Sequence, residues 1–298
     1  MEVRYEIFHP DGAGLVGDRH LRKVWTGARW AEGPAYFPAA RHLLFSDIPN
    51  DRVLRHDELT GTTTDFLSPA GYHNGHSVDR CGRLLSAEHG ARRVTRLEHD
   101  GSLTVLADQY DGRRLNSPND LVEGPDGAVW FTDPSYGIDS EYEGHAAPRE
   151  QDGCHLYRVV PGNSPERVAD DFDRPNGLAF SPTGTTLYVG DSARRHLRSF
   201  SVLADGTLSG GEVIADCPEG TFDGLRVDHA GRLWVSSGRG VEVLAADGTP
   251  LALLRVPEVV ANLTFGGPRG HDLYLTATTS LYAIRLKVTG SALPHWPL

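Results

Sequence analysis

Six stretches of the chain align without gaps over eight positions, and each opens on a carboxylate or carboxamide: Glu32, Asn74, Asn119, Asn176, Asp223 and Asn262. Asp, Glu, Asn and Gln together number 49 of 298 residues, about one in six, so six hits in one register are not expected by chance. Single Asn-Gly or Asp-Gly pairs are ordinary turn dipeptides; the joint pattern carries the weight. Brought to one place, Glu32 and Asp223 would repel as ions unless a cation or a shared proton relieved them. Amide oxygens of Asn119 and Asn176 could complete a shell around such a cation. No histidine or cysteine stands in the aligned set. An all-oxygen shell suits one hard divalent ion, with calcium favoured and magnesium or manganese next. Zinc, which prefers nitrogen and sulfur, is less suited. Asn74 and Asn262 are expected to line the channel or bond to backbone.

These side chains need a frame that repeats six times. Each aligned segment reads as a strand and turn, with a glycine eight residues on in five cases: Gly82, Gly127, Gly184, Gly231 and Gly270. A second strand follows each turn, namely HLLFSD (42–47), RLLSAE (83–88), AVWFTD (128–133), TLYVGD (186–191), RLWVSS (232–237) and DLYLTA (272–277). A third follows in every unit and a fourth in five, all rich in β-branched and aromatic residues. Six units of four strands predict an all-β, six-bladed β-propeller, whose innermost strands would bring the six side chains to the axis. The last unit lacks a fourth strand. HLRKVWTG (20–27) is predicted to supply it and close the ring, leaving no long free edge. One propeller domain is expected over 1–298. The unit starts are 42, 45, 57, 47 and 39 residues apart, and the surplus of the third unit lies in a polar loop, 134–153, of the kind that forms lids.

The net charge of -11 sets the chain against nucleic acid and anionic membrane surfaces. The amino terminus carries charges where a signal peptide would be apolar, and no run of about 18 apolar residues occurs. Cys81, Cys154 and Cys217 are odd in number and widely spaced, which points to a reducing, cytoplasmic setting. GxSxG, HExxH and phosphate-loop signatures are missing.

WAEGPAYF (30–37), SDIPNDRVLRHD (46–57), LNSPNDLV (115–122), WFTDPSYG (130–137), DRPNGLAFSP (173–182) and FDGLRVD (222–228) resemble the SMP-30/gluconolactonase family, which includes the bacterial sugar lactonases. The resemblance runs over about residues 20–287. It implies a six-bladed propeller in which Glu32, Asn176 and Asp223 hold a metal, with Asn119 coordinating or reaching the ion through water. The family is known with calcium, zinc and other divalent ions. The senescence-marker branch carries an arginine where this chain has Ser117, so its sugar preference does not transfer.

The expected reaction is hydrolysis of a small, sugar-type lactone. The metal would polarise the carbonyl and Asp223 would activate water. Ser117, Arg174 and Thr221 stand two residues before ring positions and would share their face if the chain is extended there. Ser117 and Arg174, with Asn74 and Tyr136, are the candidates for substrate contact, and His73, His76 and His89 are further ones. Two alternatives are a metal-dependent phosphotriester hydrolase on the same scaffold and a non-catalytic binding propeller.

Overall fold

The computed structural model describes residues 1–291; residues 292–298 of the expected domain lie outside the described residues. Six antiparallel sheets of four or five strands form the blades, and a two-stranded ribbon, Gln109–Tyr110 with Arg113–Arg114, lies outside them. The inner strands of the blades are Ala31–Phe37, His73–Val78, Leu121–Glu123, Pro175–Phe180, Leu225–Val227 and Val260–Gly266. The second strands, from His42–Asp47 to Asp272–Ala277, are almost wholly buried. They carry the cores that fill the space between blades, such as Trp130 against Phe180 and Trp234 against Phe265. Four of the blades are built wholly from strands that follow one another in the chain, so most strand pairing is local in sequence.

The outermost strand of the sixth sheet is Arg22–Thr26, which pairs with Ser280–Arg285. Glu258 sits at this joint and accepts bonds from Lys23 Nζ, Ser280 Oγ, Tyr282 Oη and the backbone N–H of Thr279. One feature departs from the four-stranded expectation: Arg4–Ile7 adds a fifth strand to blade five, in register with Ala252–Arg255.

Inner strands of blades one, two and four each contain a bulge at the ring position. Register shifts fall between Glu32 and Ala35, His73 and His76, and Pro175 and Leu178. An extra residue there bends the strand and re-aims its side chain. In blades three and five the regular strand starts two residues beyond Asn119 and Asp223. The chain before it is not strand, and in blade four Arg174 lies in a bend just ahead of Pro175–Phe180, so the condition for a shared face is not met at Ser117, Arg174 or Thr221.

Candidate active site

The glycine after a ring residue has a steric reason. A Cβ on Gly75 would lie 2.5 Å from the Asn119 carbonyl oxygen, and one on Gly177 would lie 2.3 Å from that of Asp223. With no side chain there, Gly75 N–H donates to Asn119 O at 2.8 Å and Gly177 N–H to Asp223 O at 3.1 Å. Neighbouring inner strands are thus stitched together around the axis, and their ring side chains are crowded into it.

Glu32, Asn74, Asn119, Asn176 and Asn262 are buried, while Asp223 keeps some exposure. Burial raises the Glu32 carboxyl well above its usual range, and the charges of Asp223 and Asp120 raise it further. Asp223 is raised too, by burial and then by Glu143 and Asp120. Asp120 is a third axial carboxylate that the repeat did not single out. It stands where neighbouring units have glycine, and it meets Asn262 Nδ2 at 3.4 Å and Arg226 Nη1 at 3.5 Å.

The amides differ in what their partners leave free. Asn176 Nδ2 donates to Ser192 Oγ at 3.0 Å, which directs Oδ1 elsewhere. Asn74 Nδ2 meets His89 Nε2 at 3.1 Å. The Oδ1 of Asn262 accepts its neighbour Leu263 N–H at 2.8 Å, so this residue bonds to backbone, one of its two expected roles. Among the described residues no group of three or more His, Cys, Asp or Glu side chains is arranged to hold a metal. A cation here must therefore draw on amide oxygens.

Three buried aspartates hold the approach to the ring in the same way. Asp47 Oδ1 accepts the N–H groups of Arg29 (2.9 Å) and Trp30 (3.4 Å). Asp133 accepts those of Asn116 (2.8 Å) and Ser117 (2.9 Å), and Asp191 those of Asp173 (2.9 Å) and Arg174 (3.1 Å). In each case the donors stand three and two residues before a ring residue: Glu32, Asn119 and Asn176 respectively. Burial pushes Asp133 up to about 7 against the pull of its two bonds. The signal was present in the sequence as the aspartate closing FSD, FTD and VGD.

The long loop folds over the end of the channel where the inner strands begin. It contains one helical turn, Tyr136–Asp139. Tyr136 lies by Ser192, Arg174 and Asp223; burial, then the Asp223 charge, pushes its hydroxyl up to about 12. Arg174 sits over the Tyr136 ring at 4.9 Å and pairs with Asp139 at 2.9 Å. Ser117 is fully buried, donates to Pro134 O at 2.7 Å and accepts Gly137 N–H at 2.9 Å, so its hydroxyl holds the loop. Thr221 is exposed. His73 pairs with Glu88 at 3.4 Å, and His76 lies between Ser46 and Ser86. His76 lines a cavity of about 560 Å³ on the opposite face with Tyr36, Phe265 and Arg226, away from the loop.

Residues 30–279 match the sequence profile of the SMP-30/Gluconolactonase/LRE-like region. A gluconolactonase of Zymomonas mobilis is 29% identical, over 91% of this chain and 82% of its own. A pentonolactonase of Haloferax volcanii is also 29% identical, over 86% and 84%. The solved structure of a gluconolactonase from Xanthomonas campestris superposes with a TM-score of 0.90 at 39% identity, covering 95% of this chain and 94% of that one. With the propeller, the axial carboxylates and a profile match over most of its length, the chain belongs to the SMP-30/gluconolactonase/LRE-like family.

Proposed function

We propose that the chain hydrolyses a small, sugar-type lactone to its hydroxy acid at the axial ring, as a single propeller domain over 1–298. The observation that carries this is the convergence of Glu32, Asp223 and Asp120 in a buried channel, together with relatives named as lactonases. The donor set fits a hard divalent cation. Its carboxylates repel one another without one, and Asn176 turns its amide nitrogen to Ser192 so that its oxygen is free. Glu32, Asn119, Asn176 and Asp223 would hold the ion, calcium ahead of magnesium, manganese or zinc. When bound, it would polarise the lactone carbonyl and stabilise the charge that develops on oxygen.

The chain's own groups do the rest. Asp223, the carboxylate at the mouth side of the ring, takes a proton from the attacking water. As the ring C–O bond breaks, that proton passes to the departing alkoxide and Asp223 is restored. Tyr136, Arg174 and Asn74 contact the substrate at the mouth, and Ser117 acts on it through the loop it holds. Three free thiols among the described residues support a reducing, cytoplasmic setting. No helix among the described residues is long and apolar enough to cross a membrane. The partner is a small molecule; the net charge of -11 opposes nucleic acid and anionic membranes. The phosphotriester and binding-module readings gain no support from the named relatives.

The test is proton release from a panel of sugar and aliphatic lactones in weak buffer, repeated after chelation and after each cation is restored. Release above the spontaneous rate that disappears with chelation is expected. A protein that binds no divalent cation and opens no lactone overturns the reading.

A further inference from the structure

His89 joins the long loop to the axial ring. Its ring is fully buried. Nδ1 lies 3.0 Å from the backbone carbonyl oxygen of Glu143, in the loop, and Nε2 lies 3.1 Å from Asn74 Nδ2. A carbonyl oxygen only accepts, so Nδ1 must carry a proton. Burial keeps the imidazole neutral, pushed down to about 4, so Nε2 presents a lone pair. Asn74 must then donate its NH2 to His89, which leaves Oδ1 facing away from the imidazole. The orientation of Asn74 is thus set by a hydrogen bond that begins on the loop. Loop and imidazole also meet by shape: a Cβ on Gly137 would lie 2.5 Å from His89 Cβ and Cγ.

We propose that His89 is a positioning residue that couples docking of the 134–153 loop to the orientation of the Asn74 amide, so that its oxygen faces the channel only while the loop is seated. This rests on the reading of the axial ring as the reaction site. With the loop lifted, Nδ1 loses its acceptor, the imidazole can adopt the other tautomer, and Nε2–H would then turn the amide oxygen of Asn74 toward itself. The mouth therefore completes its polar lining at the moment it closes over a substrate. Ser192 holds the amide of Asn176 in the equivalent place, directly after the second strand, but its hydroxyl bonds to Phe222 O at 2.7 Å in the neighbouring blade. Tyr136 of the loop also lies by Ser192, but that hydroxyl is anchored in the next blade, whereas the second bond of His89 is to the loop itself.

Two variants and their combination test the coupling: His89→Phe, which keeps the bulk and removes both bonds, and Asn74→Ala. Hydrogen exchange of the backbone amides in 137–146 is read without any cation, and kcat and KM for the lactone are read with it. Loss of one hydrogen bond is expected to speed loop exchange about fivefold in His89→Phe, and Asn74→Ala should speed the same amides, though less, because coupling is reciprocal. In turnover, His89→Phe should lower kcat/KM about tenfold, and the double variant should be no worse than Asn74→Ala alone. Additive losses, or loop exchange in Asn74→Ala equal to that of the parent protein, would overturn the proposal. A parent protein that opens no lactone removes the functional reading instead, and the exchange data still decide whether loop and ring are coupled.

Discussion

Asp133 Oδ1 accepts the backbone N–H of Ser117 at 2.9 Å, two residues before Asn119. Its other oxygen accepts the N–H of Asn116 at 2.8 Å. Asparagine at this position keeps one acceptor and sets an NH2 against the second N–H. Asp133→Asn is therefore expected to cost about 1–3 kcal/mol of stability. Displacement of Asn119 should weaken cation affinity about 10–100-fold. Calorimetric cation titration beside thermal unfolding checks this. Lost stability at unchanged affinity would make Asp133 a support of the fold alone.

Asp223→Asn should move activity and cation-free stability in opposite directions. Turnover should drop about 10²–10⁴-fold, because the base is gone. In chelator the same variant should melt above the parent protein, since burial and the charges of Glu143 and Asp120 all penalise an ionised Asp223. Activity assays and melting curves in chelator are the measurements. Retained turnover would remove Asp223 from its role.

The pH dependence of the cation-free protein follows from the same carboxylates. Glu32 and Asp223 have folded-state pKa values above their unfolded ones, with Asp223 at about 8. Between about pH 4 and 8 the folded state therefore binds more protons than the unfolded state, and stability falls as pH rises. In chelator the melting temperature should decline from pH 6 to pH 8. Saturating calcium should flatten that decline. A chelated protein with no loss of stability toward pH 8 would contradict the crowding of charge at the axis.

Glu258 predicts the reverse slope at the acid end. Burial alone would raise its carboxyl, but bonds from Ser280, Lys23, Tyr282 and Thr279 hold it at about 2. Its folded-state pKa is thus below the unfolded one, so its stabilisation is present above about pH 4 and is lost as pH falls toward 2. Glu258→Gln should lower the melting temperature by a few degrees at neutral pH and shrink the further loss on acidification. Unfolding followed across this range tests both effects.

The ring was legible because a repeat of 39–57 residues leaves a register to align. All six blades, and the placing of Glu32, Asn176 and Asp223 at or just before the inner strands, follow from it. Asp120 was not legible, because it stands one place beyond the aligned position and reaches Asn262 across 142 residues of chain. Tyr136 was a candidate from its place in the long loop, but Glu143 comes from the same segment without periodicity, where contacts are set by tertiary packing alone. Ser117 shares the spacing of a substrate contact, but Pro134 and Gly137 claim its hydroxyl. The bond between His89 and Asn74 becomes visible only when two strands of one blade are laid side by side.

The pairing of Arg4–Ile7 with blade five and of Arg22–Thr26 with blade six bears on how the protein is made. Thr26 finds its bonding partner Thr279 at a separation of 253 residues. During synthesis, at about 5–20 residues per second, the leading segment must wait for tens of seconds as an unpaired strand. Blades one to four can fold in turn as they emerge from the ribosome, whereas blades five and six cannot be finished until Arg4–Ile7 and Arg22–Thr26 meet strands made much later.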